Sequence, residues 1–288
     1  MTKIGNKKLW RVLTALMALL LTVSIAAMAI TTEWSTVING ALNITNTRTV
    51  ELEGGEQVDT IRFKSKYSTK EEMYAAQKAL AKELEAEGAV LLTNNGALPL
   101  SNGAKVSLFS RNSTDIGYGG TGSGSVTVIT TMKENFEEGG RFQVNPTLWA
   151  AYEAYNSTIT EGMRNTGGSS GGGETYIREA PMSVYTADVK ASYAAYGDAA
   201  IAVFTRIGGE GSDLEPGSFA DGSVYLRLND DERAMLKEMR DNFSKVIVLI
   251  NSSNAMELDF LEEFGVDACL WIGGVGQEGL DAVADILI

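Results

Sequence analysis

Four short runs of residues that are apolar throughout or nearly so constrain the fold of this chain more than any other feature. They are Val106–Phe109, Ala200–Phe204, Val246–Ile250 and Ala268–Ile272. Apolar runs of this length, bounded by turn residues, are typical of strands that are buried on both faces of a sheet. Segments with helical periodicity lie between them. The alternation predicts an α/β fold, with a mainly parallel sheet covered by helices on both faces.

The run Ala200–Phe204 leads into a glycine-rich acidic segment, RIGGEGSD. Glu210 lies between its glycines, and Asp213 and Glu215 follow. Loops that leave buried strands often carry the working residues of α/β proteins, so Glu210 is a candidate proton donor. Two other interpretations stay open. The segment can be a solvated turn, or its three carboxylates can offer oxygen ligands to Ca²⁺, although it does not follow an EF-hand pattern.

Composition excludes several classes of function. The 288 residues include no histidine, which removes Ser-His-Asp and Cys-His catalysis and most zinc sites. Any acid–base chemistry must therefore use carboxylates, Lys, Tyr or Cys. The net charge is −13 and no basic cluster occurs, so we expect no nucleic-acid partner. The single cysteine, Cys269, lies in an apolar run and cannot form an internal disulfide.

The N-terminus carries a membrane or secretion signal. Lys3, Lys7, Lys8 and Arg11 precede an uncharged run, residues 12–30, which spans roughly 28 Å as a helix at ~1.5 Å per residue. The charge bias places the N-terminus inside and the rest of the chain outside the cytoplasm. The run can stay uncut as an anchor, which its length favours, or it can be cleaved as a signal peptide after Ala27–Ala29. We expect a basic stub with this segment over residues 1–32, a connector over 33–68 and one domain over 69–288.

A second glycine-rich loop, Tyr118–Gly124, follows the strand Val106–Phe109 after about eight residues. A dinucleotide fingerprint requires the loop to follow its strand at once and to open a helix, and a P-loop requires a lysine after the glycines. Neither condition is met. The loop is better interpreted as a backbone-lined wall of a ligand pocket, or as a flexible connection.

Together these stretches resemble one family, the glycoside hydrolases of family 3, in their α/β-sandwich domain. The resemblance extends over roughly residues 70–288 and is carried, in the family's order, by Glu87–Leu100, Tyr118–Gly124, Arg206–Asp213, Val246–Met256 and Leu270–Asp285.

The resemblance implies a retaining, exo-acting β-glycosidase of the β-glucosidase type, acting on terminal O-glycosidic bonds without a cofactor or metal. Such enzymes use a carboxylate nucleophile and a carboxylic acid/base about 5–5.5 Å apart. In the family the acid/base is a Glu of this domain, and Glu210 occupies its position. The substrate-binding neighbours implied by the same resemblance are Arg206, Asp213, Tyr118, Gly120, Thr121 and Ser123. The alternative is a non-catalytic, membrane-anchored, sugar-binding module.

The sequence also departs from the family's usual pattern. It has no Ser-Asp-Trp nucleophile segment and no Lys-His pair, both of which belong to a barrel domain in the family. A membrane segment that leads directly into the sandwich domain resembles the rearranged members, in which the barrel follows. The last residues, through Ile288, form an apolar helix without a cap. We therefore expect a fragment of a longer protein, and we expect the chain to be inactive without the barrel.

Overall fold

A computed structural model describes residues 7–42, 44, 65–119, 130–159, 177–206, 208, 217–218 and 222–288. The chain divides into two units, Met1–Lys64 and Ser65–Ile288. In the first unit the described residues form helix α1, Lys7–Glu33, and helix α2, Ser35–Ala41. Helix α1 contains the predicted run 12–30. By length and composition alone it can serve as a signal sequence or as a membrane span.

The second unit is built on a six-stranded sheet. Its strands are β1, Val90–Asn94; β2, Ala104–Phe109; β3, Phe142–Val144; β4, Ala199–Arg206; β5, Val246–Ser252; and β6, Ala268–Trp271. They lie in the order β1-β6-β5-β4-β2-β3. Only β1 runs antiparallel to its neighbour, β6, among these paired strands. The predicted α/β fold is confirmed.

Helices cover both faces of the sheet. They are α3, Lys70–Gly88; α4, Met132–Glu137; α5, Pro146–Ser157; α6, Ala187–Ser192; α7, Asp230–Asn242; α8, Phe260–Glu263; and α9, Leu280–Ile286. Helices α4 and α9 contribute to the hydrophobic core on one face, and α6, α7 and α8 to the core on the other.

Strand β4 shows why the predicted strands are continuously apolar. Ile201 and Val203 belong to one core, while Ala202 and Phe204, which alternate with them, belong to the other. Successive side chains of a strand point to opposite faces, so burial of both faces requires an apolar residue at every position. All residues of β4 and β5 are buried.

The local helix predictions are partly wrong. The sequence pattern of residues 183–196 predicts a single helix, but the α-helix covers only Ala187–Ser192 and is flanked by 3₁₀ turns. The pattern of residues 256–264 predicts another helix, but the helix found there is limited to α8. Before α8 the backbone is held in a different conformation, because the N–H of Glu257 donates to the carbonyl of Leu226. This long-range contact leaves no periodic signal in the sequence.

Candidate active site

The carboxyl ends of the parallel strands define the candidate site. Strands β4 and β5 pair to their last residues, with Thr205 opposite Asn251 and Arg206 opposite Ser252. Strand β6 ends beside them at Trp271. Glycine-rich segments follow β2, β4 and β6, and they begin at Gly117, Gly208 and Gly273, respectively. Ligands of α/β proteins bind outside this edge of the sheet, so the topology brings these segments to a suitable place.

Most of the predicted site residues lie outside the described residues. These are Glu210, Asp213, Gly120, Thr121 and Ser123, together with Glu215 of the cation hypothesis. Their roles remain predictions. The structure does describe both ends of the segment that carries Glu210, as well as Arg206 and Tyr118.

Arg206 is the last residue of β4 and is fully buried, with 0% of the residue exposed. Its guanidinium forms an ion pair with Glu232 of α7, in which Nη1 and Nη2 each donate to one carboxylate oxygen at 2.8 Å. Nε donates to the carbonyl of Tyr225, Nη2 also donates to that of Arg227, and Nη1 to that of Thr205.

This hydrogen bonding accounts for all five N–H groups of an arginine side chain. No donor of Arg206 is left for a sugar in this arrangement. The geometry therefore gives Arg206 a structural role. It does not support the predicted contact between Arg206 and substrate, which stays a prediction.

The Arg206 side chain also holds the two ends of the acidic segment together. The chain leaves the sheet after Arg206 and is held against the same guanidinium at Tyr225 and Arg227. Glu232 adds a second link, because its carboxylate accepts from the backbone N–H of Asn229 in the capping box of α7. The segment that contains Glu210 thus begins and ends at the carboxyl end of β4.

Tyr118, the other described residue of the predicted binding set, is 8% exposed. Its hydroxyl donates to the carbonyl of Thr130 at 2.8 Å, and its own carbonyl accepts from the N–H of Gly276. Burial, with the carboxylates of Asp115 and Glu134 nearby, raises the pKa of the phenol to about 12. The phenol therefore stays neutral, and its hydrogen bond joins the described residues on either side of residues 120–129, while its contact with a sugar stays a prediction.

Asn251 is a buried polar residue at the carboxyl edge that the sequence does not single out. The pattern of residues Asn251–Asn254 predicts a turn, but Asn251 lies inside β5 and is 2% exposed. Its side chain contacts Gly117, Thr205 and Gly273. The sequence does contain a signal for this role of Asn251, since a polar residue follows directly on an apolar run. Burial of such a residue is compensated only by a complete set of hydrogen bonds.

A second buried carboxylate lies near the end of β2. Glu179 accepts hydrogen bonds from the hydroxyl of Ser110 and from the backbone N–H groups of Arg111 and Ala180. Burial outweighs these hydrogen bonds and raises the pKa of Glu179 to about 7. A raised pKa suits a general acid. This carboxylate is only 2% exposed and faces protein donors, so we assign it to the structure of the site and not to its chemistry.

A partly open cavity of about 400 Å³ lies beside the same edge. Its lining includes Leu92, Ile250, Met256 and the half-buried Trp271. Trp271 is interpreted from sequence as a core residue, but one part of its side chain faces this cavity.

In the described part of the chain, no group of three or more Cys, Asp or Glu residues is arranged to hold a metal ion.

Comparison with known proteins places this architecture in a family. The glycosyl hydrolase family 3 C-terminal domain matches residues 89–288. The chain belongs to glycosyl hydrolase family 3. The resemblance drawn from its sequence motifs is therefore confirmed.

Two of the relatives of this chain are β-glucosidases. The chain is 36% identical over 211 residues to the β-glucosidase of Ruminococcus albus, covering 72% of this chain and 21% of that protein. It is 31% identical over 251 residues to β-glucosidase A of Butyrivibrio fibrisolvens, covering 76% of this chain and 28% of that protein. The matched region thus spans from about a fifth to just over a quarter of the length of these relatives.

Solved structures of family 3 enzymes share the fold. β-Glucosidase 3B from Thermotoga neapolitana in complex with glucose has a TM-score of 0.61 at 30% identity, with 74% of this chain and 29% of that chain covered. A β-glucosidase from Paenibacillus barengoltzii has a TM-score of 0.61 at 28% identity, with 73% and 22% covered.

Proposed function

We propose that this chain supplies the general acid/base of a retaining, exo-acting β-glycosidase of the β-glucosidase type, and that Glu210 is that residue. The single observation that supports this most is the anchoring of its segment. Arg206 and its carbonyl partners hold both ends of the segment at the carboxyl edge of the sheet. Family membership and the β-glucosidase relatives support the reaction class.

In the proposed reaction, the protonated carboxyl of Glu210 donates its proton to the glycosidic oxygen as the bond to the anomeric carbon breaks. A carboxylate nucleophile about 5–5.5 Å away forms the glycosyl-enzyme intermediate. Glu210 then accepts a proton from the water that hydrolyses the intermediate. To be protonated near neutral pH, Glu210 needs a raised pKa, which partial burial or the nearby nucleophile carboxylate would provide.

The nucleophile in this proposal lies outside the 288 residues, which contain no Ser-Asp-Trp segment. We infer that a family 3 barrel domain supplies it, in the same gene product or in another chain. The β-linked glycoside then binds between the barrel and the carboxyl edge of this sheet. Asp213, Gly120, Thr121 and Ser123 would line the pocket, and Arg206 and Tyr118 would hold its walls.

We propose that the site works outside the cytoplasm. Helix α1 carries Lys7, Lys8 and Arg11 at its start and has no charged residue from Val12 to Thr32. This distribution orients a signal or anchor with its N-terminus inside. Residues 12–30 would then attach the domain to the cell membrane or, if they are cleaved, direct its secretion.

The test uses the full chain, alone and mixed with a family 3 barrel domain that carries the nucleophile. The substrate is 4-nitrophenyl β-glucoside. We expect no turnover by the chain alone and measurable turnover by the mixture. Glu210→Gln should lower turnover in the mixture by about 10²–10⁴-fold, the range of a general acid. Glu215→Gln, a matched change in the same segment, should retain it.

A second substrate isolates the acid role. A 2,4-dinitrophenyl β-glucoside has a leaving group that needs no protonation, so glycosylation by Glu210→Gln should be close to that of the unmodified chain. Equal turnover of the 4-nitrophenyl substrate by both proteins would refute the assignment. Glucose binding that is equal in the unmodified chain and in Glu210→Ala, without turnover in any mixture, would favour the sugar-binding module.

A further inference from the structure

The side-chain amide of Asn251 joins the end of β4 to the loops that follow β2 and β6 at the carboxyl edge of the sheet. Its Oδ1 accepts from the N–H of Gly117 at 2.7 Å and from the hydroxyl of Thr205 at 2.9 Å. Its Nδ2 donates to the carbonyls of Gly117 at 2.8 Å and Gly273 at 2.7 Å. Both ends of the side chain are used, in the way that burial of an amide requires.

The two hydrogen bonds to Gly117 act as a short piece of sheet pairing. One backbone residue exchanges its N–H and its C=O with a single side-chain amide, which fixes both the position and the orientation of the peptide. Gly117 immediately precedes the predicted glycine loop after β2, Tyr118–Gly124. Gly273 opens the loop after β6, and Thr205 precedes Arg206, where the Glu210 segment begins.

These loops also contact one another directly. The N–H of Gly276 donates to the carbonyl of Tyr118. A Cβ placed on Gly274 would lie 3.8 Å from that carbonyl oxygen and 3.9 Å from the Cα of Gly119, so the gap between the two backbones has about the width of one methyl group. The amide of Asn251 therefore lies behind a continuous wall made of the loops after β2 and β6.

Other side chains would not make this set of contacts. Aspartate has the shape of asparagine but no N–H, so the carbonyls of Gly117 and Gly273 would each lose their donor to Asn251. Leucine would remove every one of the hydrogen bonds. Glutamine is one methylene longer and would displace the loops.

We propose that Asn251 is a positioning residue for the glycosidase site: it sets the distance between the loops that wall the sugar pocket and the strand end that leads to Glu210. This inference rests on the proposed function for its catalytic consequence. It makes a separate claim about the loops, which can be measured without any turnover.

The first measurement is hydrogen exchange on the folded full chain, with Asn251→Asp compared with the unmodified protein. We expect amides in residues 115–119 and 273–277 to exchange at least tenfold faster in the variant, while amides of β4 and β5 change little. A purely global loss of stability would accelerate all four segments together. Asn102→Asp, the same change at an exposed residue of the turn before β2, should leave every segment unchanged.

The second measurement uses the mixture with the barrel domain. Asn251→Asp should lower kcat/KM by at least tenfold, and the pH profile should gain one ionisation from the introduced carboxyl. Unchanged exchange in the two loops, or a change that is equal throughout the domain, would overturn the inference. Wild-type kinetics in an active mixture would overturn it as well. Inactivity of the unmodified mixture would count against the proposed function, while the exchange result would still decide the role of Asn251 in the loops.

Discussion

Removal of the charge from Glu232 tests whether the buried ion pair at the end of β4 supports the domain. In Glu232→Gln the Arg206 guanidinium keeps its charge, but its carboxylate partner is gone. Both side chains are 0% exposed, so water cannot replace the lost partner. The Gln carbonyl oxygen can still accept from one guanidinium N–H, but the amide NH₂ replaces the second acceptor and directs N–H groups towards the other guanidinium N–H. The carbonyls of Thr205, Tyr225 and Arg227 keep their hydrogen bonds.

The expected magnitude follows from this burial. Breaking a buried ion pair by removing one partner costs about 3–5 kcal/mol. In a domain of this size each kcal/mol lowers Tm by about 2–4 °C, so Tm should fall by roughly 6–20 °C. The assay is thermal and urea unfolding followed by circular dichroism, on the full chain in mild detergent because helix α1 is apolar.

The same helix provides a matched control. Arg233 of α7 pairs with Glu263, but these side chains are 33% and 46% exposed. An exposed pair contributes about 0–1 kcal/mol, so Glu263→Gln should lower Tm by at most about 4 °C. The double variant Arg206→Met, Glu232→Leu removes the unpaired buried charge, but it leaves the carbonyls of Thr205, Tyr225 and Arg227 without their donor, so it should recover only part of the loss. A Glu232→Gln protein as stable as Glu263→Gln would refute the reasoning.

Two further changes test the surroundings of the site. Burial raises the pKa of Glu179 to about 7 in the folded chain, so its contribution to stability is complete below about pH 4.5 and is lost as the pH rises through 7. Between pH 4.5 and 7 the free energy of unfolding of the unmodified chain should therefore fall by up to about 3 kcal/mol more than that of Glu179→Gln. Urea titrations at pH 5, 6 and 7 measure this in both proteins, and Glu153→Gln, a change at an exposed residue, is the control. Gly273 has a φ of +57°, and an added Cβ would lie 3.3 Å from the Trp271 ring. Gly273→Ala should cost about 1–2 kcal/mol in thermal unfolding, while Gly274→Ala, whose nearest contact would be 3.8 Å, should change stability far less.

The sheet could be predicted from the sequence because a strand that is buried on both faces is apolar at consecutive positions. A strand such as β5 is apolar at each position from Val246 to Ile250, and no amphipathic helix has this pattern. Strand β3 was missed because Phe142 and Val144 are buried while Gln143 between them is exposed, and three residues are too few to show a period.

The framework of the site could not be predicted, because its partners are far apart in the sequence. Arg206 was singled out from its motif, but nothing near it indicates that Glu232 is its ion-pair partner or that Tyr225 and Arg227 accept its remaining donors. The contact of Asn251 with Gly117 joins two strands that are separated in the sheet by β4. Contacts between residues so far apart in the sequence depend on the order of the strands in the sheet. Composition and periodicity do not predict that order.

These contacts indicate a division of labour at the carboxyl edge. The residues that hold it are buried polar groups with complete hydrogen bonding, and they stabilise the domain whether or not a substrate is present. The residues proposed to touch the sugar lie in the glycine-rich segments, which need not be buried for the domain to fold. Mutations of the two sets should therefore separate. Changes at Glu232 should alter unfolding first and turnover only as a consequence. Glu210→Gln should instead lower turnover of the 4-nitrophenyl substrate by about 10²–10⁴-fold at an unchanged Tm. A large drop in Tm for Glu210→Gln would contradict this division.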